Sequence, residues 1–206
     1  MTGPKAAIAL AALCAAIVAT AVYASLRRSE PALEPLPVLG DVPTFELTDQ
    51  TETSFGSERL RGKVWIANFI FTRCPTVCPV FTQKMARVQQ RTRDFGPSLM
   101  LVSFSVDPDW DTPARLAEYA GTFSADAGRW KFLTGTPEDV RITVREGLKI
   151  AMEDQGMIGD VPDIIHGTHF VLIDERGQIR GYFDSSEADR IDEMIQHARQ
   201  LIEQAH

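Results

Sequence analysis

With 206 residues, 44% hydrophobic and 24% charged, the chain has the composition of one globular domain plus an appendage. That excludes a disordered protein and a multi-span membrane protein. The net charge of −7 and the lack of a dense Lys/Arg run argue against a nucleic-acid binder.

No charged residue interrupts Ala6 to Leu26; Lys5 precedes this run, and Arg27 and Arg28 follow it. About 20 apolar residues suffice for a helix to cross a bilayer. Residues 1–28 therefore read as a transmembrane anchor, with a cleaved signal sequence ending at Val22-Tyr23-Ala24 as the alternative. The flanking charges are nearly balanced and do not set the orientation. Cys14 lies inside the run behind Leu13, which does not suit a lipoprotein cleavage site, so Cys14 reads as an apolar residue of the anchor. Residues 29–39, with Pro31, Pro35 and Pro37, read as an extended linker. Residues 40–206 read as the folded domain.

Within that domain Phe45 to Thr48 alternates as a strand does. Val64 to Phe71 and Leu99 to Val106 are near-continuous apolar runs, the pattern of central strands covered on both faces. Between them, Pro79 to Arg93 has helical spacing through Val80, Met85 and Val88. The three make a βαβ unit with parallel strands. Asp111-Thr112-Pro113 and Thr136-Pro137-Glu138-Asp139 are helix starts. Trp130 to Leu133 reads as a short strand. His169 to Asp174 and Ile179 to Phe183 flank Glu175-Arg176-Gly177-Gln178 and form a hairpin. A last helix spans about Glu187 to Gln204, with its apolar stripe at Ile191, Met194, Ile195, Ala198, Leu201 and Ile202. The order predicts an α/β, thioredoxin-like fold: a mixed sheet flanked by helices.

The domain's two cysteines both fall in Arg73-Cys74-Pro75-Thr76-Val77-Cys78-Pro79, between a buried strand and a helix. Ligand sites form at the carboxyl end of such strands, and a helix N-terminus favours thiolates. A spacing of four places both side chains on one face if the segment is helical. A purely stabilising disulfide gains little here, because closing so short a loop removes little chain entropy. Two readings remain: a redox-active pair, or two thiolate ligands for a soft metal. Thiol oxidoreductases of this kind use two intervening residues; this chain has three, which tilts toward chelation.

Two thiolates leave a Cu(I) site short of a donor, which directs attention to the histidines. His197 in the last helix and the terminal His206 read as solvated bystanders. His166 and His169 precede and begin the strand HFVLID, where a loop can pack beside the cysteine turn. His166 is placed to turn toward the sulfurs, whereas His169 starts the strand. Two thiolates and an imidazole suit Cu(I); zinc usually takes a fourth ligand, and none is evident. Asp107-Pro108-Asp109-Trp110-Asp111 lacks the Gly and distal Glu of a calcium loop and reads as a turn before a capped helix, with Asp107 placed to line the site. The methionines read as core.

These segments resemble the Sco/SenC family. The resemblance lies in Gly62 to Trp65, Phe69 to Pro79, Ser105 to Pro113, Trp130 to Gly135, and His166 with Phe170 to Asp174, in the family's order from about Gly40 onward. It implies a thioredoxin fold, a single N-terminal anchor in the membrane and an exported domain at the periplasmic face or its equivalent. It also implies a copper chaperone that delivers copper toward the CuA subunit of cytochrome c oxidase, with Cys74, Cys78 and His166 as ligands. Family members often carry Asp where this chain has Thr76, and Asp before the ligand His where it has Ile165, with Asp163 nearby. Thr168 occupies the place where thiol oxidoreductases of this fold carry a cis-proline. The competing expectation is a tethered thiol–disulfide oxidoreductase using Cys74 and Cys78.

Overall fold

The computed structural model describes residues 13–20, 34–75, 77–158, 161–166 and 168–205, and for residues 152–166 the backbone alone. It has two compact units, Met1–Glu34 and Pro35–His206. In the first, residues 13–20 form helix α1, with Leu13, Ile17 and Val18 exposed. Among the described residues no helix is long and apolar enough to cross a membrane. Most of the Ala6 to Leu26 run, on which the anchor expectation rests, lies outside the described residues.

The second unit is built around β4 (Val64–Ile70) and β5 (Leu99–Ser105), in which every residue is buried. They pair in parallel from Val64↔Leu99 to Ile70↔Ser105, joined by α2 (Val77–Arg91). β6 (Trp130–Thr134) adds in parallel to β5. β9 (His169–Ile173) adds antiparallel to β4 and turns back into β10 (Gln178–Asp184). The short strands β1 (Gly40–Asp41), β2 (Glu46–Asp49) and β3 (Ser54–Gly56) complete an eight-stranded sheet in the order β1-β10-β9-β4-β5-β6-β2-β3. Helices α3 (Pro113–Thr122), α4 (Pro137–Arg141) and α5 (Ala188–Gln204) pack on β6, on β2, and on β4 with β10. This is the mixed, helix-flanked sheet expected from the sequence.

Local chemistry explains the element ends. The Thr112 and Thr136 hydroxyls accept from the N–H groups of Arg115 and Asp139, capping α3 and α4, and each is followed by proline. Beyond α4 the chain continues as one wider π-type turn over Ile142–Gly147. The β9–β10 turn places Gly177 at φ +83°, a conformation that L side chains rarely adopt. Asp174 Oδ1 accepts there from the N–H groups of Arg176 and Gln178, at 3.0 and 2.9 Å.

The polar residues of the sheet bond one another in part, with Asn68 Nδ2 and Thr134 Oγ1 buried without a partner among the described residues. Ser103 donates to Asn68 Oδ1 at 2.6 Å and accepts from Trp130 Nε1 at 2.9 Å. Gln50 donates to the Trp130 carbonyl and accepts from the Phe132 N–H.

Three features differ from the sequence expectation. The linker read over residues 29–39 is tied down at its end: Leu39 N–H donates to Ile179 O at 2.8 Å, and Arg180 donates to the Leu36 and Pro37 carbonyls. An antiparallel ribbon, β7 (Met152–Ile158) and β8 (Val161–His166), occupies a stretch without predicted structure. Its Glu153-Asp154-Gln155-Gly156 run has no apolar alternation, and its register shifts between Asp154 and Met157. Finally, His197 is not solvated. It is 5% exposed, among the buried Met194, Ile195, Ala198 and Leu201 of α5, with its ring 6.3 Å from Phe183. It continues the apolar stripe, three residues after Met194 and four before Leu201, and periodicity outweighs its polarity. His206 lies outside the described residues.

Candidate metal centre

β4 ends at Ile70 and delivers the chain to the cysteine turn at the carboxyl edge of the sheet. Cys74 N–H closes this turn on Phe71 O at 3.3 Å. Helix α2 opens at Val77, so Cys78 lies in its first turn, where backbone N–H groups lack helical acceptors. One of them, Cys78 N–H, points at Cys74 Sγ, 3.5 Å away. The helix start therefore brings both sulfurs together and gives the Cys74 sulfur a donor that favours negative charge.

The two thiols differ in access. Cys78 is fully buried, while Cys74 is half-buried. Burial pushes the Cys78 thiol well up, against a hydrogen bond from the Phe71 backbone that favours the thiolate. The Cys78 proton is therefore firmly held. Cys74 is the sulfur that an incoming molecule meets first.

A buried acid holds the turn in place. Asp111, 0% exposed, accepts from the N–H of Thr72 at 3.2 and 3.1 Å, from its hydroxyl at 2.5 Å, and from Ser105 Oγ at 2.7 Å. Burial raises the Asp111 pKa despite these donors. Beside it, Arg73 Nε and Nη2 form a two-point ion pair with Asp107, at 2.6 and 3.2 Å. The guanidinium of Arg73 lies 4.8 Å from the centre of the Trp110 ring, and that of Arg115 lies 3.9 Å from it. Asp107-Pro108-Asp109-Trp110-Asp111 is thus a clamp on the cysteine turn as well as the approach to α3. Asp107 bears on the site through Arg73. Asp111's role is invisible to local pattern, because Thr72 is 39 positions away along the chain.

On the far side of the turn, Thr82 Oγ1 and the Tyr119 hydroxyl lie 2.9 Å apart. Burial raises the Tyr119 pKa, so the phenol stays protonated.

His166 ends β8, three residues before β9 begins at His169. Its side chain lies outside the described residues, and among those described no three His, Cys, Asp or Glu groups converge as a metal site. His169 starts β9, as the sequence led us to expect, and there it stands opposite Asp184. The Asp184 carboxyl is lowered chiefly by the Ser186 backbone N–H, with His169 and Lys84 contributing charge. Thr168, at the place of the absent cis-proline, accepts from Ser185 N–H through its carbonyl.

Comparison with known proteins agrees with this architecture. The SCO1/SenC family model matches residues 40–203. The SCO1 protein homolog of Bacillus subtilis is 29% identical over 161 residues, 77% of this chain and 81% of that protein. A SCO1/SenC family lipoprotein from Bacillus anthracis superposes with a TM-score of 0.73 at 33% identity, covering 82% of this chain and 99% of that one. BsSco, described as a Sco-family cytochrome c oxidase assembly protein with a disulfide switch, gives 0.72 at 28% identity over 82% and 97%. Yeast Sco1 with copper bound gives 0.65 at 25% identity over 79% and 90%. The β4–turn–α2 cysteine site, the sheet that carries it and the match over residues 40–203 together place the chain in the SCO1/SenC family.

Proposed function

We propose that this protein is a copper chaperone that carries Cu(I) on Cys74, Cys78 and His166 and delivers it to the CuA subunit during cytochrome c oxidase assembly. The supporting observation is the convergence of two thiols at the first turn of α2, with Cys78 N–H donating to Cys74 Sγ. Thiolates and imidazole are the donors that Cu(I) favours. Relatives point the same way: yeast Sco1 holds copper, and BsSco belongs to a family of oxidase assembly proteins. Half-buried Cys74 is the sulfur through which a partner's ligand enters, so transfer proceeds by stepwise ligand exchange. The apolar Ala6 to Leu26 run tethers the domain to a membrane, with residues 40–206 on the exported side. The lipoprotein relative supports a membrane-attached reading.

The test is Cu(I) competition against a calibrated chelator with the reduced full-length chain. One tightly held copper is expected, lost in Cys74→Ser and Cys78→Ser and weakened in His166→Ala. Affinity is expected to fall as the medium is acidified, because protons compete for every ligand. Binding that survives both cysteine substitutions sinks the proposal.

The unequal access of the two thiols favours a second reading, thiol–disulfide exchange. The Cys74 thiolate attacks a partner disulfide and forms a mixed disulfide. Cys78 then attacks Cys74, the partner leaves as a dithiol, and the chain keeps a Cys74–Cys78 disulfide. His166→Ala separates the readings: it weakens copper retention and spares thiol exchange.

A further inference from the structure

We propose that Val77, Val80, Trp110 and Arg115 form the docking surface for the copper acceptor, a protein that meets them with an apolar patch rimmed by a carboxylate. The inference rests on the delivery reading above and names the face through which delivery acts. Ligand exchange at half-buried Cys74 needs an acceptor's donor atom within bonding distance of the metal. A protein that comes so close lies over the side chains around that sulfur. Three of them are large and apolar yet exposed: Val77 at 48%, Val80 at 57% and Trp110 at 39%. The other large apolar residues of α2, Phe81, Met85 and Val88, are buried, so the helix shows apolar surface only in the turn that carries Cys78.

The two helix starts are neighbours. β4 and β5 run parallel, so α2 and α3 both begin at the carboxyl edge of the sheet. The contact between Thr82 Oγ1 and the Tyr119 hydroxyl, at 2.9 Å, joins them. Val80 precedes Thr82 by two residues, and Arg115 precedes Tyr119 by four. Arg73, next to Cys74, lays its guanidinium against the Trp110 ring and carries the patch across the cysteine turn. Charge favours an acid on the partner. The Arg73 charge is met by Asp107. Arg115 is exposed, its Nη1 donates to the Trp110 carbonyl at 2.6 Å, and its guanidinium covers the indole. Among the described residues no carboxylate pairs with it, neither Asp109 nor Glu118, its exposed acidic neighbours along the chain. Trp and Arg are the residue types that most often dominate the binding energy of a protein interface.

The experiment uses the full-length chain loaded with one equivalent of Cu(I), and as probe the apo form of the CuA-bearing oxidase subunit from the same organism. Association and the rate of copper transfer are both measured. Val80→Glu is expected to weaken association about tenfold, the scale of losing one well-placed interface residue, and to slow transfer. Its Cu(I) affinity is expected to stay unchanged, and a glutamate suits the first turn of a helix, so α2 is kept. Arg115→Gln is expected to weaken association several-fold and to flatten its dependence on salt. Val38→Glu is the control. Val38 is exposed beside Leu39, whose N–H bonds to Ile179; Ile179 pairs with Ile173, which pairs with Trp65 near the start of β4, at the edge opposite the cysteine turn. Association unchanged in Val80→Glu, or weakened equally in Val38→Glu, overturns the docking surface and leaves the delivery reading standing. An unaltered salt dependence in Arg115→Gln overturns the carboxylate on the partner. A parent chain that holds copper but neither binds the subunit nor passes copper to it overturns the delivery reading, and this occupant with it.

Discussion

Replacing Asp111 by asparagine keeps the size of the side chain but sets an NH2 group where one oxygen stood. Both oxygens accept at present, from Thr72 and Ser105. At least one donor then faces another donor in a site without solvent. We expect Asp111→Asn to cost about 1–3 kcal/mol, read as a lower denaturation midpoint of the reduced protein. An unchanged midpoint would show that Asp111 does not hold the turn. Cys74 and Cys78 were legible in the sequence because their whole setting is local: an apolar strand, a turn, a helix start. Asp111 was not, because its partners arrive through the sheet. His197 was misread for a different reason: a polar side chain on an apolar stripe was given to solvent, and the helix turns it inward.

The helices show how local chemistry fixes boundaries. Thr136 Oγ1 accepts from Asp139 N–H at 3.1 Å and donates to Asp139 Oδ2 at 2.6 Å. Thr136→Ala is expected to lower stability by about 1 kcal/mol. Thr136→Ser keeps the oxygen and is expected to recover most of that; equal losses in the two variants would refute a capping role. Thr112-Pro113 and Thr136-Pro137 could be read from sequence because a cap and a first-turn proline lie side by side. The β7–β8 ribbon could not: its pairing is made across strands, and Glu153 to Gly156 gives no alternation to detect. The element that carries His166 was thus the least legible part of the domain.

Over the whole molecule, acid weakens the fold through two buried groups. His197 has its pKa lowered by burial, with Glu193 opposing and Arg190 assisting. A depressed histidine favours the neutral form in the fold, so its contribution is present above its ordinary 6.5 and is lost as the pH falls below that value. Asp49 is held at about 2 instead of 3.8: burial raises it, but Thr51, Lys131 and Thr53 together outweigh burial. Its contribution, roughly 2 kcal/mol, is present above 3.8 and is lost as the pH falls toward 2. Denaturation midpoints across the pH range are expected to fall in two stages. His197→Leu should flatten the first stage, and Asp49→Asn the second; a first stage of unchanged depth in His197→Leu would refute that assignment.

The ends of the main sheet have a consequence for behaviour at high concentration. Its outermost strands, β1 and β3, are two and three residues long. A neighbouring copy that meets either rim finds only a few backbone groups to bond, too short a template for strand-to-strand stacking. Crowding the protein into concentrated solution should therefore not seed fibrils through this sheet.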